Sequence, residues 1–453
     1  MRLLEQLQEQ TIAQAGRDMY AFASELFPIC RSITGNGLRQ TLAKVGERIP
    51  LQISEVASGT PVFDWTVPRE WNIRQAYIQE PGGKRIVDFE RNNLHVLNYS
   101  SPIHKKLALN ELKQHLFTLP DHPDWIPYRT SYYQENWGFC MTQRQLEQLR
   151  EGEYEVHIDS SLVDGHLSYG ECFLPGELED EILFSAHACH PSLANDNLSG
   201  LVVATFLAEM LARQARRYSY RFLFAPGTIG AITWLARNRD AASSVRHGLI
   251  LTGIGDSGSF HYKRSRRGNA DIDRAAAHVL RHFASDSELL EFSPYGYDER
   301  QFCSPGFNLP VGCLMRSVWG TFPEYHTSAD NLEFIRPEKL GESLRVCAGI
   351  VEVLEHNRAY RNLNPYCEPQ LGKRDLYRST GGSSIISDEI HARLWVLNLS
   401  DGQSTLLDIA ERSGLRFALI RDAADLLVHA GLLEEVTSTP KPGYREQASS
   451  SRS

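Results

Sequence analysis

The segment HACHPSLANDNLSG combines imidazole and carboxylate side chains at a spacing that suits a metal site. It contains His187, His190 and Asp196, and Asn195 and Asn197 flank the aspartate. Zinc is bound by this mixture of nitrogen and oxygen donors, and a catalytic zinc keeps one position open for water. A single histidine after a strand is usually a structural polar residue, so the segment needs support from elsewhere in the chain.

That support comes from a second polar cluster, in FPEYHTSADNLEFI, which contains Glu324, His326 and Asp330. Both clusters follow predicted strands, and in parallel α/β sheets ligands bind at the carboxyl ends of the strands. Two such clusters can therefore meet in space. Their joint occurrence predicts a metal site assembled from separate loops.

Two residues of the first cluster leave alternatives open. His190, which precedes Pro191, can be a ligand, a structural residue or a residue on the substrate side. Cys189 is interpreted as a small buried hydrophobic residue, because no base apart from the candidate ligands lies beside it to activate a thiolate.

Alternating strands and helices must position these clusters. From residue 182 to about residue 357, apolar runs that read as strands, such as EILFSAH, YRFLFAP, HGLILTGIG and LPVGCLMR, alternate with helical patterns such as SGLVVATFLAEMLARQARR. Strands that alternate with helices predict a mostly parallel sheet covered on both faces.

Two further regions differ in texture from this α/β unit. Residues 62–165 are rich in Trp, Tyr, Pro and short alternating runs, which predicts a β-rich domain inserted into a discontinuous zinc domain of residues 1–61 and 166–360. Residues 375–446 are expected to form a winged-helix-like domain. Its candidate helices are TLLDIAERSG and FALIRDAADLLVHAGLLEE, followed by a possible hairpin in VTSTPKPGYR and a disordered tail, QASSSRS.

Charge and composition restrict the classes of partner. The net charge is −9, and the 83 residues from Leu371 onwards carry 10 basic against 11 acidic side chains, so we expect no binding to nucleic acid or to a membrane. The first 22 residues read as an amphipathic helix rather than a signal peptide, and no long apolar run is present, which favours a cytoplasmic protein. Eight scattered cysteines without a CxxC pair argue against a disulfide framework.

The motifs HxC…NDNLSG and YHTSAD resemble those of the zinc aminopeptidase family, whose members share a fold with glutaminyl cyclases. The resemblance implies an α/β fold with a zinc-aminopeptidase-like mixed sheet and helices on both faces. It also implies a zinc held by His187, Asp196 and His326, with Asp330 matching the aspartate of the late motif.

Across nearly its full length the chain resembles a group of bacterial aminopeptidase-like proteins of largely unknown function, which end in a winged helix. The shared signatures are RSITGxGxR, WxVPxEW and WGFC, found here at residues 31–39, 65–71 and 137–140, together with the two metal segments.

Three departures from the aminopeptidase pattern change the expected metal content. Cys189 replaces the aspartate that orients the first ligand, and Pro226, Gly227 and Thr228 stand where a pair of glutamates would follow the strand. The strand HGLILTG lacks the aspartate that would complete the first metal site in the aminopeptidase pattern; Asp256 comes several residues too late. With these carboxylates missing, we expect one zinc rather than two.

The expected activity is hydrolysis of an amide or peptide bond in a small molecule or short peptide. A general base must then come from elsewhere. Glu324 is the first candidate, Asp298 and Glu171 stand behind it, and Asp330 and His190 are further catalytic candidates.

Two other functions remain open at this stage. One is an acyl- or aminoacyl-transferring biosynthetic enzyme on the same fold, and the other is a degenerate sensor or regulator that carries a winged helix. A homo-oligomer is also left open.

Overall fold

The computed structural model describes residues 3–377 and 387–436 of the chain. The chain divides into two compact units, Met1–Glu355 and His356–Ser453. The boundary lies before the start at residue 375 that the sequence predicts for the last domain, because the chain just after residue 356 already contributes a strand to the second unit.

The first unit begins with helices that pack their apolar faces inward. The predicted first helix is two helices, separated at Leu7 and Gln8, and the second of them buries Met19, Phe22 and Leu26. The elements are α1 (Leu3–Gln6), α2 (Glu9–Leu26), α3 (Asn36–Gly46) and β1 (Gln52–Ala57).

A β-rich segment follows β1 and contains a separate four-stranded sheet. Its elements are β2 (Pro61–Val62), β3 (Trp65–Thr66), β4 (Glu70–Gln79), β5 (Arg85–Asp88), β6 (Ile103–Ala108), α4 (Leu109–Leu112), β7 (Leu116–Phe117), β8 (Phe139–Cys140), α5 (Gln143–Glu147) and β9 (Glu153–Val163). The sheet has the order β5-β4-β9-β6 and is antiparallel throughout. Much of β9 alternates between buried and partly exposed positions, as expected for a strand with one covered face.

The remaining elements of the first unit build the large sheet and its helices. They are β10 (His166–Leu174), β11 (Glu181–His187), α6 (Gly200–Ala212), β12 (Ser219–Ala225), α7 (Ile229–Arg237), α8 (Arg239–Ser244), β13 (Val245–Leu251), β14 (His261–Lys263), α9 (Asp271–Phe283), β15 (Glu288–Leu290), α10 (Glu299–Phe302), β16 (Val311–Met315) and α11 (Pro337–His356). Short 3₁₀ turns lie at Asn93–His95 and Lys113–His115, and an irregular helical turn spans Ala194–Ser199.

The large sheet is mixed, with parallel strands at its centre. Its order is β1-β10-β12-β11-β13-β16-β14-β15, and the four strands β12, β11, β13 and β16 run parallel to their neighbours within that group. Strand β11 is buried along its whole length, which explains why its sequence is nearly continuous in apolar residues. The predicted α/β class with a mixed sheet is confirmed.

The β-rich segment lies in the chain between two neighbouring strands of the large sheet. Strands β1 and β10, which flank it in the chain, are antiparallel neighbours in the large sheet. The chain thus leaves the sheet after Ala57 and returns at His166.

In its described residues, the second unit has three short strands and three α-helices. Its elements are β17 (Ala359–Asn362), a 3₁₀ turn (Gly372–Arg374), α12 (Asp388–Leu399), β18 (Asp401–Thr405), α13 (Leu406–Ser413), α14 (Phe417–His429) and β19 (Leu433–Glu435), with the sheet order β18-β17-β19. Thr405 and Asp408 form a capping box at the start of α13, and Gly414 ends it at φ 71°. The predicted final hairpin, from residue 437 on, and the tail lie outside the described residues.

Within residues 3–377 and 387–436, no helix combines the length and the apolar composition that crossing a bilayer requires.

Candidate metal centre

The carboxyl ends of the central parallel strands bring the two predicted clusters together. His187 is the last residue of β11, and Asp196 lies in the irregular turn that leads into α6. His326 lies in the loop that follows β16, at a positive φ of 56° that few residues other than glycine adopt. Because β11 and β16 run in the same direction, their following loops meet at one edge of the sheet.

The carboxylate of Asp196 is the centre of the cluster. Its Oδ1 lies 2.8 Å from Nε2 of His187, and its Oδ2 lies 3.0 Å from Nε2 of His326. The residue is only 3% exposed. Each carboxylate oxygen therefore faces an imidazole nitrogen, and the carboxylate itself has almost no contact with solvent.

His190 also faces this carboxylate. Its Nε2 lies 3.9 Å from Oδ2 of Asp196, and its Nδ1 lies 3.2 Å from the Cys189 sulfur. Donor atoms of His187, His190 and Asp196 lie within 4.8 Å of one another, and among the described residues these three form the group with metal-ligand geometry. His326 stands outside that group, although it contacts the same carboxylate.

Tyrosine rings surround the histidines. The ring of Tyr297 stacks on His187 at a centroid distance of 4.5 Å, and its hydroxyl donates to Oδ2 of Asp196 at 2.8 Å. Tyr325 stacks on His326 at 3.9 Å, and its hydroxyl lies 2.9 Å from that of Tyr297. The rings restrict the imidazole orientations and exclude water.

The inserted segment also reaches the cluster. The backbone N–H of Tyr128 donates to the carbonyl of His326 at 2.8 Å, and the Tyr128 ring lies about 5 Å from the rings of His190 and His326. The isolated bridge between Pro127 and Thr327 fixes the same approach. The insertion thus forms one wall of the site.

The protonation states suit metal ligation. Burial lowers the pKa of His190 well below its ordinary value, which leaves that imidazole neutral. Burial acts to raise the pKa of Asp196, but His190 and the hydrogen bonds from His187 and His326 hold it well below its ordinary value. A neutral imidazole beside an ionised, buried carboxylate is a pair of donors that fits zinc.

Asp330 holds the turn that carries Asp196. Its two carboxylate oxygens accept the backbone N–H groups of Asn195 and Asp196, at 2.6 and 2.9 Å. Burial raises the pKa of Asp330 to about 8, although these N–H donors favour its ionised form. Asp256 acts in a similar way, since its carboxylate accepts from the Asn195 amide and the Ser317 hydroxyl. Both aspartates therefore use their carboxylates to hydrogen-bond the loops of the site.

The candidate bases lie in different environments. Glu171 belongs to β10 and pairs with Arg221, so it is bound away from the cluster. Glu324 is partly exposed, and within the described part of the chain no hydrogen bond joins its carboxylate to the site. Of these three candidate bases, Asp298 alone has a buried carboxylate on the side of His187.

Asp298 occupies the space next to the turn that lacks glutamates. A Cβ placed on Gly227 would lie 3.2 Å from Cβ of His187 and 3.7 Å from Oδ1 of Asp298. That oxygen is buried and has no hydrogen-bond partner among the residues that the structure describes, and burial raises the pKa of Asp298 to about 7. The carboxyl group is thus close to His187 from the direction of the missing glutamate pair.

Several residues of the site were not predicted from the sequence. Tyr297 and Tyr128 lie in loops without a motif, and only their neighbours in space reveal their contacts. Arg31 belongs to the RSITG signature; it is 1% exposed and donates to the carbonyls of Leu26 and His190. Cys189 is fully buried and burial raises the pKa of its thiol to about 12, which fits an unreactive thiol.

A cleft with aromatic walls opens beside the carboxylate. Its lining includes Asp196, Thr252 and Gly253, with Met315, Ser317 and the rings of Tyr297, Trp319, Phe322 and Tyr325. Asp196 is the only charged residue in this lining. The free space between these walls holds about one water molecule, so the lining closes one side of the metal centre.

Comparisons with known proteins agree with this arrangement. A family model described as a domain of unknown function, DUF4910, matches residues 20–357, and a model described as a winged helix-turn-helix matches residues 358–435. A protein of Clostridium acetobutylicum, provisionally named a polysaccharide biosynthesis protein with an aminopeptidase-like domain, is 52% identical over 427 residues, which is 94% of this chain and 98% of that protein.

Solved structures show the same fold. A crystal structure of a Clostridium acetobutylicum protein, provisionally described as a peptidase, has a TM-score of 0.91 at 51% identity and covers 96% of this chain and 100% of that one. The zinc aminopeptidase BSAP of Bacillus subtilis has a TM-score of 0.55 at 12% identity, over 75% of this chain and 95% of its own. The second likeness concerns the fold alone, which is aminopeptidase-like.

Proposed function

Because the chain belongs to the DUF4910 family, whose description assigns no activity, we propose its function from the site: a zinc-dependent hydrolase that cleaves an amide or peptide bond in a small, narrowly selected substrate. One observation carries the proposal. The buried carboxylate of Asp196 is faced on both oxygens by histidine nitrogens, at 2.8 and 3.0 Å, and by no lysine or arginine within the described residues.

The proposed zinc ligands are His187, Asp196 and His326, with His190 as a further donor. His326 ranks before His190 because its Nε2 lies 3.0 Å from Oδ2 of Asp196, against 3.9 Å for His190. Three protein ligands with one open position make a competent catalytic zinc site. A zinc ion held there supplies Lewis acidity toward a carbonyl group and toward water.

The protein's own groups have separate tasks in this proposal. The Tyr297 hydroxyl orients the Asp196 carboxylate by its hydrogen bond, and Asp330 keeps the turn under Asp196 in place. The general base in this proposal is a carboxylate next to His187. The buried, unpartnered oxygen of Asp298 supports that residue for the role over Glu324, which is partly exposed.

The aromatic cleft supports narrow specificity. Among the described residues, its walls offer ring faces and the hydroxyl-bearing side chains of Thr252, Ser317, Tyr297 and Tyr325, but no basic side chain to hold a free carboxylate. Because so little space is free there, a substrate would have to be small next to its amide bond.

A panel of aminoacyl-anilides tests the activity with the zinc-loaded full chain. We expect slow turnover with most of them, because proton transfer by a well-placed base contributes roughly 10²–10⁴ in rate and the usual pair of glutamates is missing. Asp298→Asn should lower any measured rate more than Glu324→Gln does. Values of kcat/KM of about 10⁴ M⁻¹s⁻¹ or more across the panel would contradict the proposal of narrow specificity.

A second candidate is transfer of an acyl group to an amine in place of water. It is favoured by the absence of carboxylates at residues 226–228 and by the name of the Clostridium acetobutylicum relative, which refers to polysaccharide biosynthesis. Adding an amino sugar to a reaction with an acyl donor separates the two candidates. Amide formed at the expense of free acid supports transfer, and unchanged release of free acid supports hydrolysis.

A further inference from the structure

We propose that the buried ion pair of Lys263 and Glu299 is a positioning device that sets the turn carrying Tyr297 and Asp298 against the metal centre. The inference rests on the proposed metal site and adds to it the residues that determine its geometry. Neither member of the pair forms a hydrogen bond or an ion pair with His187, Asp196 or His326 among the described residues, so both are positioning residues and not catalytic ones.

The pair is buried and joins two elements. Lys263 ends β14 and is 2% exposed, whereas Glu299 begins α10 and is 0% exposed. Their Nζ and Oε1 atoms are 2.7 Å apart. In such an environment a charge pair is strongly directional, because neither partner can turn to water instead.

The pair also binds the backbone of the turn on both sides of Gly296. The Lys263 ammonium donates to the Tyr295 carbonyl at 2.7 Å, and the second oxygen of Glu299 accepts the Tyr297 N–H at 3.1 Å. A Cβ on Gly296 would overlap Oε1 of Glu299 and lie 2.6 Å from Nζ of Lys263. The turn is therefore wrapped closely around the ion pair, and only glycine fits at its centre.

The turn carries two residues that lie against the metal centre. Tyr297 stacks on His187 and donates to Asp196, and Asp298 lies beside Gly227 with a buried, unpartnered oxygen. Lys263 further lies 5.2 Å from the ring centroid of Trp319, a wall of the cleft, and Trp319 packs edge-on against Tyr297. A shift of this turn would move Tyr297, Asp298 and one wall of the cleft together.

Stability alone is a weak reason for such a pair. Replacing a buried ion pair by apolar residues is often neutral or stabilising, so a pair that binds the two peptide groups next to a site indicates a geometric role. Residues that orient metal ligands from behind typically change metal affinity by about 10–100-fold when they are altered.

The experiment compares Glu299→Gln and Lys263→Met with the parent protein, in the full chain. Zinc affinity is measured by chelator competition, and the geometry of the site by the visible absorption spectrum of the cobalt-substituted protein. Deuterium uptake is measured in the peptides around residues 187–200 and 292–298. We expect both variants to weaken zinc about 10–100-fold and to change the cobalt spectrum. Uptake should rise in both peptides. Because the two substitutions change the local charge in opposite directions, a purely electrostatic effect would move the affinities in opposite directions, whereas a positioning effect weakens both.

Glu181→Gln is the matched control, since Glu181 is a buried glutamate paired with Arg221 at the other end of β11. It should lower the melting temperature without a change in zinc affinity or in those peptides. If Glu299→Gln behaves like this control, or if both pair variants fail to fold, the pair is structural and the inference is wrong. Failure of the parent protein to bind zinc would refute the proposed function, while the uptake data would still decide whether the pair positions the turn.

Discussion

The two ends of strand β11 hold buried carboxylates in opposite ways. At its amino end, both oxygens of Glu181 accept hydrogen bonds from the Arg221 guanidinium, each at 2.7 Å. At its carboxyl end, Asp196 is faced by His187, His326 and the Tyr297 hydroxyl. The first carboxylate is paired with a permanent cation, whereas the second is faced by groups that carry no permanent charge.

This difference separates a structural charge from a site that can bind a cation. Arginine stays protonated at any physiological pH, so a carboxylate bonded to it is not available to a metal. Histidine nitrogens are neutral donors near pH 7 and can turn from partners of Asp196 into ligands beside it. The amino end of β11 therefore contributes a structural ion pair, and its carboxyl end contributes a ligand to the proposed metal site.

The largest expected effect is the loss of metal from the carboxyl end. His187→Ala and Asp196→Asn should each weaken zinc by more than about 100-fold, which exceeds the usual effect of groups behind the ligands. His326→Ala should weaken it more than His190→Ala, because His326 lies closer to Oδ2 of Asp196. Chelator competition measures all four.

His247→Ala is the control for this series. His247 is a buried histidine near the amino end of the neighbouring strand β13, away from the cluster. Unchanged zinc affinity in His187→Ala, or an equal loss in His247→Ala, would remove the contrast between the two ends.

A smaller effect is expected from Tyr297→Phe. The substitution keeps the ring stacked on His187 but removes the hydrogen bond to Asp196, so zinc affinity should fall about 10-fold. Tyr220→Phe is the matched control, because its buried hydroxyl donates to Glu355 at 2.7 Å on the other side of the sheet. Equal zinc affinities in the two variants would show that the tyrosine contact does not orient the carboxylate.

At the amino end, Glu181→Gln should change stability only. Losing the charge-assisted bonds to Arg221 should lower the free energy of unfolding by about 1–3 kcal/mol, as measured by denaturant titration. Zinc affinity should stay at the level of the parent protein. A loss of zinc in this variant would mean that the two ends of β11 are coupled.

The smallest effect concerns pH. Burial lowers the pKa of His247 to about 3, against about 6.5 in an unfolded chain. Above pH 6.5 both states are neutral and the residue adds no pH dependence, whereas below it the unfolded state gains a proton and stability falls down to about pH 3. His247→Gln should therefore lose less stability than the parent between pH 7.5 and 5.5, by about 1 kcal/mol, in melting experiments on the metal-free protein. An equal loss in both proteins would contradict this.

The sequence predicts the centre of the large sheet well and its edge poorly. The apolar run EILFSAH and its three parallel neighbours are long enough to recognise, and all four are strands. Strands β14 and β15 have three residues each and no readable periodicity, so they were not predicted. Strand β14 depends on pairing with β16, and β15 on pairing with β14, which is a tertiary property.

The same limit applies to the site. His187, Asp196 and His326 stand in motifs with regular spacing, and the structure places them around one carboxylate. Tyr297 and Lys263 belong to no motif. Their contacts form only when the turn at residues 295–298 folds against the edge of the sheet, and the sequence does not show that approach. Asp330 was predicted as catalytic from its place in a motif, but its carboxylate binds two backbone N–H groups. A motif indicates which residues lie near a site, whereas the contacts of each residue indicate its role there.

The zinc content of the purified full chain tests the central claim most directly. Elemental analysis before and after zinc addition and removal of excess metal should find about one zinc per chain, because the cluster offers one buried carboxylate with its histidines and the carboxylates for a second ion are missing. His187→Ala, folded by its melting curve, should retain none. Two tightly held zinc ions per chain, or none before and after addition, would contradict the account.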